Sequence, residues 1–293
     1  MDGIAAAAAS PGAQAATRTW LVPRYGTFSA LTNTSLGGDP AVARNAFGQG
    51  TAWFSVIYHG EGTDTKSPMP PGYSGVAVLK FAAYENGTGG LLDAIRDGLP
   101  AWVQAVQYDA ESWDFTPPIE KGAWLHSPCP GVSYAELFCR KAHELGLPVV
   151  LTPSLDLCNN KPNPAYPGSA PQYPVPAGER NYEAYVRYRL ASAARWLSPG
   201  DVYEFQSQAL GTDTALYQSV TTRVEAQVRE VSQGVTFLAG IGRTEADWDH
   251  ATAAQLTAAA RSVAPLVAGY WPNVDENATR VQIMIQFLKN LGY

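Results

Sequence analysis

The chain has 293 residues, of which 46% are hydrophobic and only 16% charged, with a formal net charge of −6. A charged fraction well below the ordinary ~25% suits one large domain with a deep core. An acidic balance without a basic stripe argues against a nucleic-acid partner, and no window approaches the ~20 apolar residues that span a bilayer.

Residues 1–18 are rich in Ala, Ser and Gly and lack the basic and Leu-rich regions of an intact signal peptide. They read as a flexible leader, or as the start of a mature chain behind an engineered Met, ahead of a catalytic domain over 19–293. Eight short apolar runs follow: Thr19–Tyr25, Ala52–Tyr58, Gly75–Phe81, Val103–Asp109, Leu147–Thr152, Asp201–Gln206, Thr236–Ile241 and Leu266–Trp271. Amphipathic segments separate or follow them at Pro40–Phe47, Leu91–Gly98, Tyr134–Leu145, Tyr182–Leu197, Thr214–Ser232, Ala251–Val263 and Ala278–Leu291. Strands alternating with helices imply parallel pairing with right-handed crossovers. Eight such units predict a single α/β domain, a (β/α)8 TIM barrel with long loops on its C-terminal face. The rival is a doubly wound open sheet, but no glycine-rich phosphate loop follows the first strand. The Pro- and Tyr-rich stretch from Asn159 to Glu179 is too long for a plain connection and is expected to wall a site.

In such a barrel the site lies where the strands end. The fourth run ends Gln107-Tyr108-Asp109-Ala110-Glu111. Residues two apart share a strand face, so Asp109 and Glu111 stand together, and like charges so placed raise one another's pKa until one can serve as a general acid. The other strand ends supply Arg24 and Tyr25, Tyr58 and His59, Lys80 with Tyr84 and Glu85, Trp113, Ser154 and Asp156, Arg243, and Tyr270 with Trp271. A ligand site needs polar residues there, and so does any barrel where its core meets water. Glu204, Gln206 and Gln208 share one face of the sixth strand. Burying such groups unpaired costs ~1–3 kcal/mol each, so they are expected in a network or on a ligand. Arg243 would pair with a carboxylate or stack, a core ion pair being the commoner role. Trp271 stands where an aromatic floor would be useful.

Asp109-Ala110-Glu111 on the fourth strand, amides on the sixth and Trp271 on the eighth resemble the family-18 glycoside hydrolases, the chitinase and endo-N-acetylglucosaminidase group. The family's strand-4 motif is DxxDxDxE; Gln104 and Gln107 stand here where it carries two earlier aspartates. The resemblance implies that Glu111 is the general acid and that Asp109 orients a substrate acetamido group acting as nucleophile. It further implies that Gln206 or Gln208 binds that group and that Trp271 stacks on the sugar ring. A scheme independent of the family pairs Glu111 with Glu204. Carboxylates ~5–5.5 Å apart suit retention and ~6.5–9.5 Å inversion, and strands four and six, not being neighbours, favour the wider spacing.

The expected function is therefore a glycosidase, an O-glycosyl hydrolase acting on a polysaccharide or glycan. Asp109, Glu111 and Glu204 are its catalytic candidates, and Tyr25, Tyr58, Trp113, Asp156, Gln206, Gln208, Arg243 and Trp271 its binding candidates. The alternatives are a non-hydrolytic, lectin-like barrel, or an isomerase or lyase with Lys80 or His59 as base. No cofactor is expected, and no metal, since no Cys or His pair has ligand spacing. Few lysines, long Pro/Gly/Tyr loops and acceptor triplets at Asn33, Asn86 and Asn277 suit a secreted protein, by default a monomer. Of the three cysteines, Cys129 and Cys158 are expected to join two loops and Cys139 to be buried in a helix.

Overall fold

The structure, a computed structural model, describes residues 18–58, 66–85, 89–111, 115–125, 133–159, 173–243 and 251–293. Eight parallel strands close into one barrel in sequence order: β1 (Thr19–Pro23), β2 (Ala52–Ile57), β3 (Gly75–Phe81), β4 (Ala105–Tyr108), β5 (Val149–Leu151), β6 (Val202–Phe205), β7 (Thr236–Arg243) and β8 (Gly269–Val274). Each lies within or across one of the eight apolar runs. The barrel closes where Thr19 of β1 pairs with Gly269 of β8. A Cβ on Gly269 would stand 1.7 Å from the Thr19 carbonyl oxygen, so the seam requires glycine there.

The helices are α1 (Ser29–Thr32), α2 (Pro40–Phe47), α3 (Leu91–Asp97), α4 (Pro118–Gly122), α5 (Tyr134–Glu144), α6 (Asn181–Arg187), α7 (Thr214–Val231), α8 (Ala253–Val263) and α9 (Ala278–Asn290). The longer ones begin on side-chain caps: Asp39, Ser133, Asp213, Thr252 and Asn277 each accept a backbone N–H of the first turn. The helix expected over Tyr182–Leu197 is broken. Arg189 takes a left-handed φ of 57° and a 3-10 turn runs over Leu190–Trp196. Leu190, Ala191, Ala193 and Ala194 are buried in that turn, and the small alanine side chains let the backbone approach α7 closely. No described helix is long and apolar enough to cross a membrane.

Period-two alternation divides the apolar residues into two compartments. Trp20, Phe54, Phe81, Tyr108, Tyr203, Phe237 and Tyr270 face outward to the helices, with Tyr108 stacked on Phe138 of α5 at 4.6 Å. Leu21, Val78, Ala105, Val150, Val202, Leu238 and Trp271 plug the barrel interior. One step further along the same faces come Lys80, Gln107, Thr152, Glu204 and Gly240, so the polar floor of the site rests on this plug. Cys139, in α5, and Cys158 are both buried, and the expected disulfide partner of Cys158 is Cys129. Cys129 itself lies outside the described residues.

Candidate active site

Asp109 is fully buried at the end of β4, and its two carboxylate oxygens are held differently. Lys80 of β3 donates to Oδ2 at 2.6 Å. The Thr152 hydroxyl and the Gln206 amide both donate to Oδ1 at 2.8 Å. The same Gln206 Nε2 reaches Glu111 Oε1 at 3.2 Å and the Thr152 carbonyl at 2.9 Å. Gln107 completes the ring by donating to Thr152 Oγ1 at 3.1 Å. Four neighbouring strands, β3 to β6, thus contribute to one network around two carboxyl groups.

This placement sets the protons. Glu111 is pushed up to about 8, first by burial and then by the Asp109 charge; Asp156 adds to the rise, while Lys80 and the Gln206 hydrogen bond oppose it. Burial alone would discharge Lys80, but the Asp109 charge and hydrogen bond, foremost among the acids around it, hold the ammonium above its ordinary value. A lysine so charged and so bonded is a poor Schiff-base nucleophile or general base, which weakens the isomerase or lyase alternative.

Glu204 does not stand beside Glu111 as an exposed partner. Its side chain is fully buried, and both carboxyl oxygens are sealed from solvent with no hydrogen-bond partner among the described residues. Burial, followed by Asp109 and Glu111, drives its pKa well above the carboxylate range. A Cβ on Gly240 would meet Glu204 Oε1 at 3.0 Å and Gln208 Oε1 at 2.5 Å. Two acceptor oxygens therefore crowd the same glycine, an arrangement that a neutral, protonated Glu204 suits.

Above this floor opens a cavity of about 660 Å³. Glu111, Ser154, Asp156, Gln206, Gln208, Trp271 and Asn273 line it from the strand ends, and Arg180, Asn181, Tyr182 and Leu216 from the helical side. Trp271 is only 4% exposed. A ring so deeply packed offers no broad face for a sugar, so it closes the floor instead of presenting a stacking platform.

The other candidates lie elsewhere. Tyr25 is 53% exposed in the turn after β1, its ring beneath the Arg24 guanidinium, and lies away from the cavity lining. Tyr58 faces outward and donates to Asp97 of α3 at 2.8 Å; burial and that carboxylate push it up to about 12. Arg243 ends β7 with its backbone in register with Val274, but its side chain lies outside the described residues, as do Trp113 and His59.

Thr152, Gly240 and the Arg180–Tyr182 wall carried no distinctive sequence signal. Thr152 could have been found by continuing the inward alternation from Val150. Glu120 of α4 was also missed: fully buried, it accepts from the Tyr84 and Glu85 amides at 2.7 and 2.9 Å and from the Tyr108 hydroxyl. It fastens the rim between β3 and α4, and burial pushes it up to about 7 against those hydrogen bonds.

No family model matches the chain, and no curated protein matches it. Solved structures match weakly. The carboxyl transferase domain of Rhizobium etli pyruvate carboxylase aligns with a TM-score of 0.45 and 8% identity over 94% of this chain and 46% of that one, so the chain spans about half its length. A catalytic-site mutant of active domain 2 of the Pyrococcus furiosus chitinase aligns with a TM-score of 0.40 and 10% identity, over 94% and 97% respectively. At these scores neither likeness bears on the chemistry of the site.

Proposed function

We propose that the chain is a glycoside hydrolase-like barrel enzyme with Glu111 as its general acid, acting on a carbohydrate substrate that enters the cavity above β4–β6. One observation carries this reading. Glu111 is held protonated near neutral pH on the wall of the cavity, beside a carboxylate that three protein donors fix in place. A group that releases its proton near the operating pH is what acid catalysis needs.

Asp109 has a different task from the one the family-18 resemblance assigns. Both its oxygens are engaged by protein groups, one by Lys80 and the other by Thr152 and Gln206. It is poorly placed to orient a substrate amide and acts on Glu111 instead, as the charge that keeps the proton there. Secretion and a monomeric state accompany this proposal on composition alone.

The test is hydrolysis across a panel of labelled polysaccharides, comparing wild type with Glu111→Gln. Loss of turnover by more than about a hundredfold with the fold intact would support Glu111 as the acid, since such catalysis contributes ~10²–10⁴. Turnover that survives the substitution refutes the assignment. Binding without turnover by the wild type on any member would favour the lectin-like alternative.

A further inference from the structure

Cleavage of a glycosidic bond by two carboxyl groups needs a partner for Glu111, and two candidates can be compared. Glu204 is sealed beneath the cavity, its oxygens out of reach of solvent and of any ligand seated above. Asp156 is partly exposed and lines the same cavity wall as Glu111.

The backbone brings Asp156 and Glu111 together. β4 and β5 are hydrogen-bonded neighbours, with Tyr108 in register with Leu151. Beyond the strands the pairing continues: the Ser154 N–H donates to the Ala110 carbonyl at 2.9 Å, directly before Glu111 in the chain. Asp156 then sits in a 3-10 turn over Leu155–Leu157, held by the Ser154 hydroxyl on its own N–H at 3.3 Å and by Asn159 Nδ2 on its carbonyl at 2.8 Å. The Asp156 charge adds, after burial and Asp109, to the upward shift of Glu111. Adjacent strands lie ~4.7–4.9 Å apart, so the ends of β4 and β5 bring both side chains to one wall of the cavity; a carboxyl separation of ~5–5.5 Å, that of retaining glycosidases, is the spacing the proposal requires of them.

Resting on the glycosidase reading above, we infer that Asp156 is the catalytic nucleophile of this site and that the reaction proceeds with retention at the anomeric carbon. In the first step the Glu111 proton passes to the glycosidic oxygen, the bond from that oxygen to the anomeric carbon breaks, and an Asp156 carboxylate oxygen bonds to that carbon. In the second step a water oxygen bonds to the anomeric carbon as the ester bond to Asp156 breaks, and the water proton returns to Glu111. Both carboxyl groups end as they began, and only water is consumed.

The experiment takes the whole chain and whichever polysaccharide or dinitrophenyl glycoside the wild type hydrolyses. Product configuration is read by proton NMR at early times, and Asp156→Ala is assayed with and without sodium azide. The expected results are a retained anomer, a loss of more than about a hundredfold in Asp156→Ala, and partial recovery with azide accompanied by a glycosyl azide product. An inverted product, or an Asp156→Ala variant within about tenfold of wild type while Glu111→Gln is inactive, would overturn the assignment and leave Glu111 standing. Wild-type inactivity on every substrate overturns the glycosidase reading and this one with it.

Asp156→Asn supplies a measurement that needs no substrate. Carbodiimide labelling of Glu111, followed by peptide mass spectrometry across pH, should lose its protonated fraction at lower pH than in wild type. An unchanged profile would place the two carboxyl groups too far apart for the shared reaction. Circular dichroism and the urea midpoint confirm that both variants fold.

Discussion

Replacing Lys80 by methionine keeps most of the side chain's length and its apolar stem but strands the carboxylate beneath it. Asp109 is fully buried and its Oδ2 takes the Lys80 ammonium at 2.6 Å, whereas Oδ1 keeps its donors from Thr152 and Gln206. The lost charge-assisted hydrogen bond is worth ~1.5–3 kcal/mol. Leaving the partner charge buried and uncompensated brings the total to ~3–5 kcal/mol. Lys80→Met should therefore lower the unfolding free energy by that amount near neutral pH, read from the shift in urea midpoint at constant slope. Acidification, which supplies a proton to the stranded carboxylate, should recover part of the loss. The double variant Lys80→Met/Asp109→Asn leaves no buried charge and should be more stable than Lys80→Met alone, with a coupling of ~2 kcal/mol or more. A single-variant cost under about 1 kcal/mol, or simple additivity in the double variant, would refute the view that this ion pair organises the floor of the site.

Further predictions follow from the same network. Activity that depends on protonated Glu111 should fall as pH rises through about 8, the value to which burial and Asp109 push it, and a pH–rate profile with no basic limb near 8 would contradict the assignment. Because Glu111 and Glu120 are raised in the folded state, to about 8 and about 7, the folded chain holds protons that the unfolded chain has released. Their contribution is whole below the ordinary carboxyl range and is lost as pH rises toward those values, by up to ~1.4 kcal/mol per pH unit for each group. Urea midpoints should therefore decline between about pH 5 and 8, and a rising midpoint over that range would reverse the sign. Glu204→Gln should match or exceed wild-type stability at pH 8 and keep turnover within about tenfold, because its carboxyl is sealed and the amide adds a donor beside Gln208; a large loss of turnover would restore Glu204 to the chemistry. Gly242→Ala should cost more than Gly240→Ala in thermal unfolding. Its Cβ would stand 2.2 Å from the Asn273 backbone oxygen, whereas the nearest atom to that of Gly240 is the movable end of Gln208 at 2.5 Å.

The barrel was legible in the chain because its strands are buried on both faces and short, so they read as continuous β-branched and aromatic runs. Val149–Leu151 and Val202–Phe205 stand out even at three and four residues. Helix starts were legible where a capping side chain announced them, as at Ser133 and Asp213. The break at Arg189 was not, since the force behind it is the packing of a small-residue turn on α7, a tertiary effect that outweighs local helical periodicity.

The site was half legible for a related reason. Alternation by two assigned faces correctly, and Asp109, Glu111, Glu204 and Gln206 do share the barrel interior. Alternation does not assign depth. Glu204 and Gln206 are one strand step apart, yet Gln206 bonds both carboxyl groups of β4 at the cavity while Glu204 lies sealed beneath it. Depth is set by register, which staggers each strand against its neighbour. Lys80 is in register with Gln107, not Asp109, and still reaches Asp109 because a lysine is long enough to span the next step along β4. For the same reason Asp156, several residues past the end of β5 and outside any strand pattern, comes to the cavity beside Glu111, while Tyr58, at a strand end by sequence, points away to α3. The residues to test first are therefore those that register brings to the cavity wall, and Asp156 stands ahead of Glu204 among them.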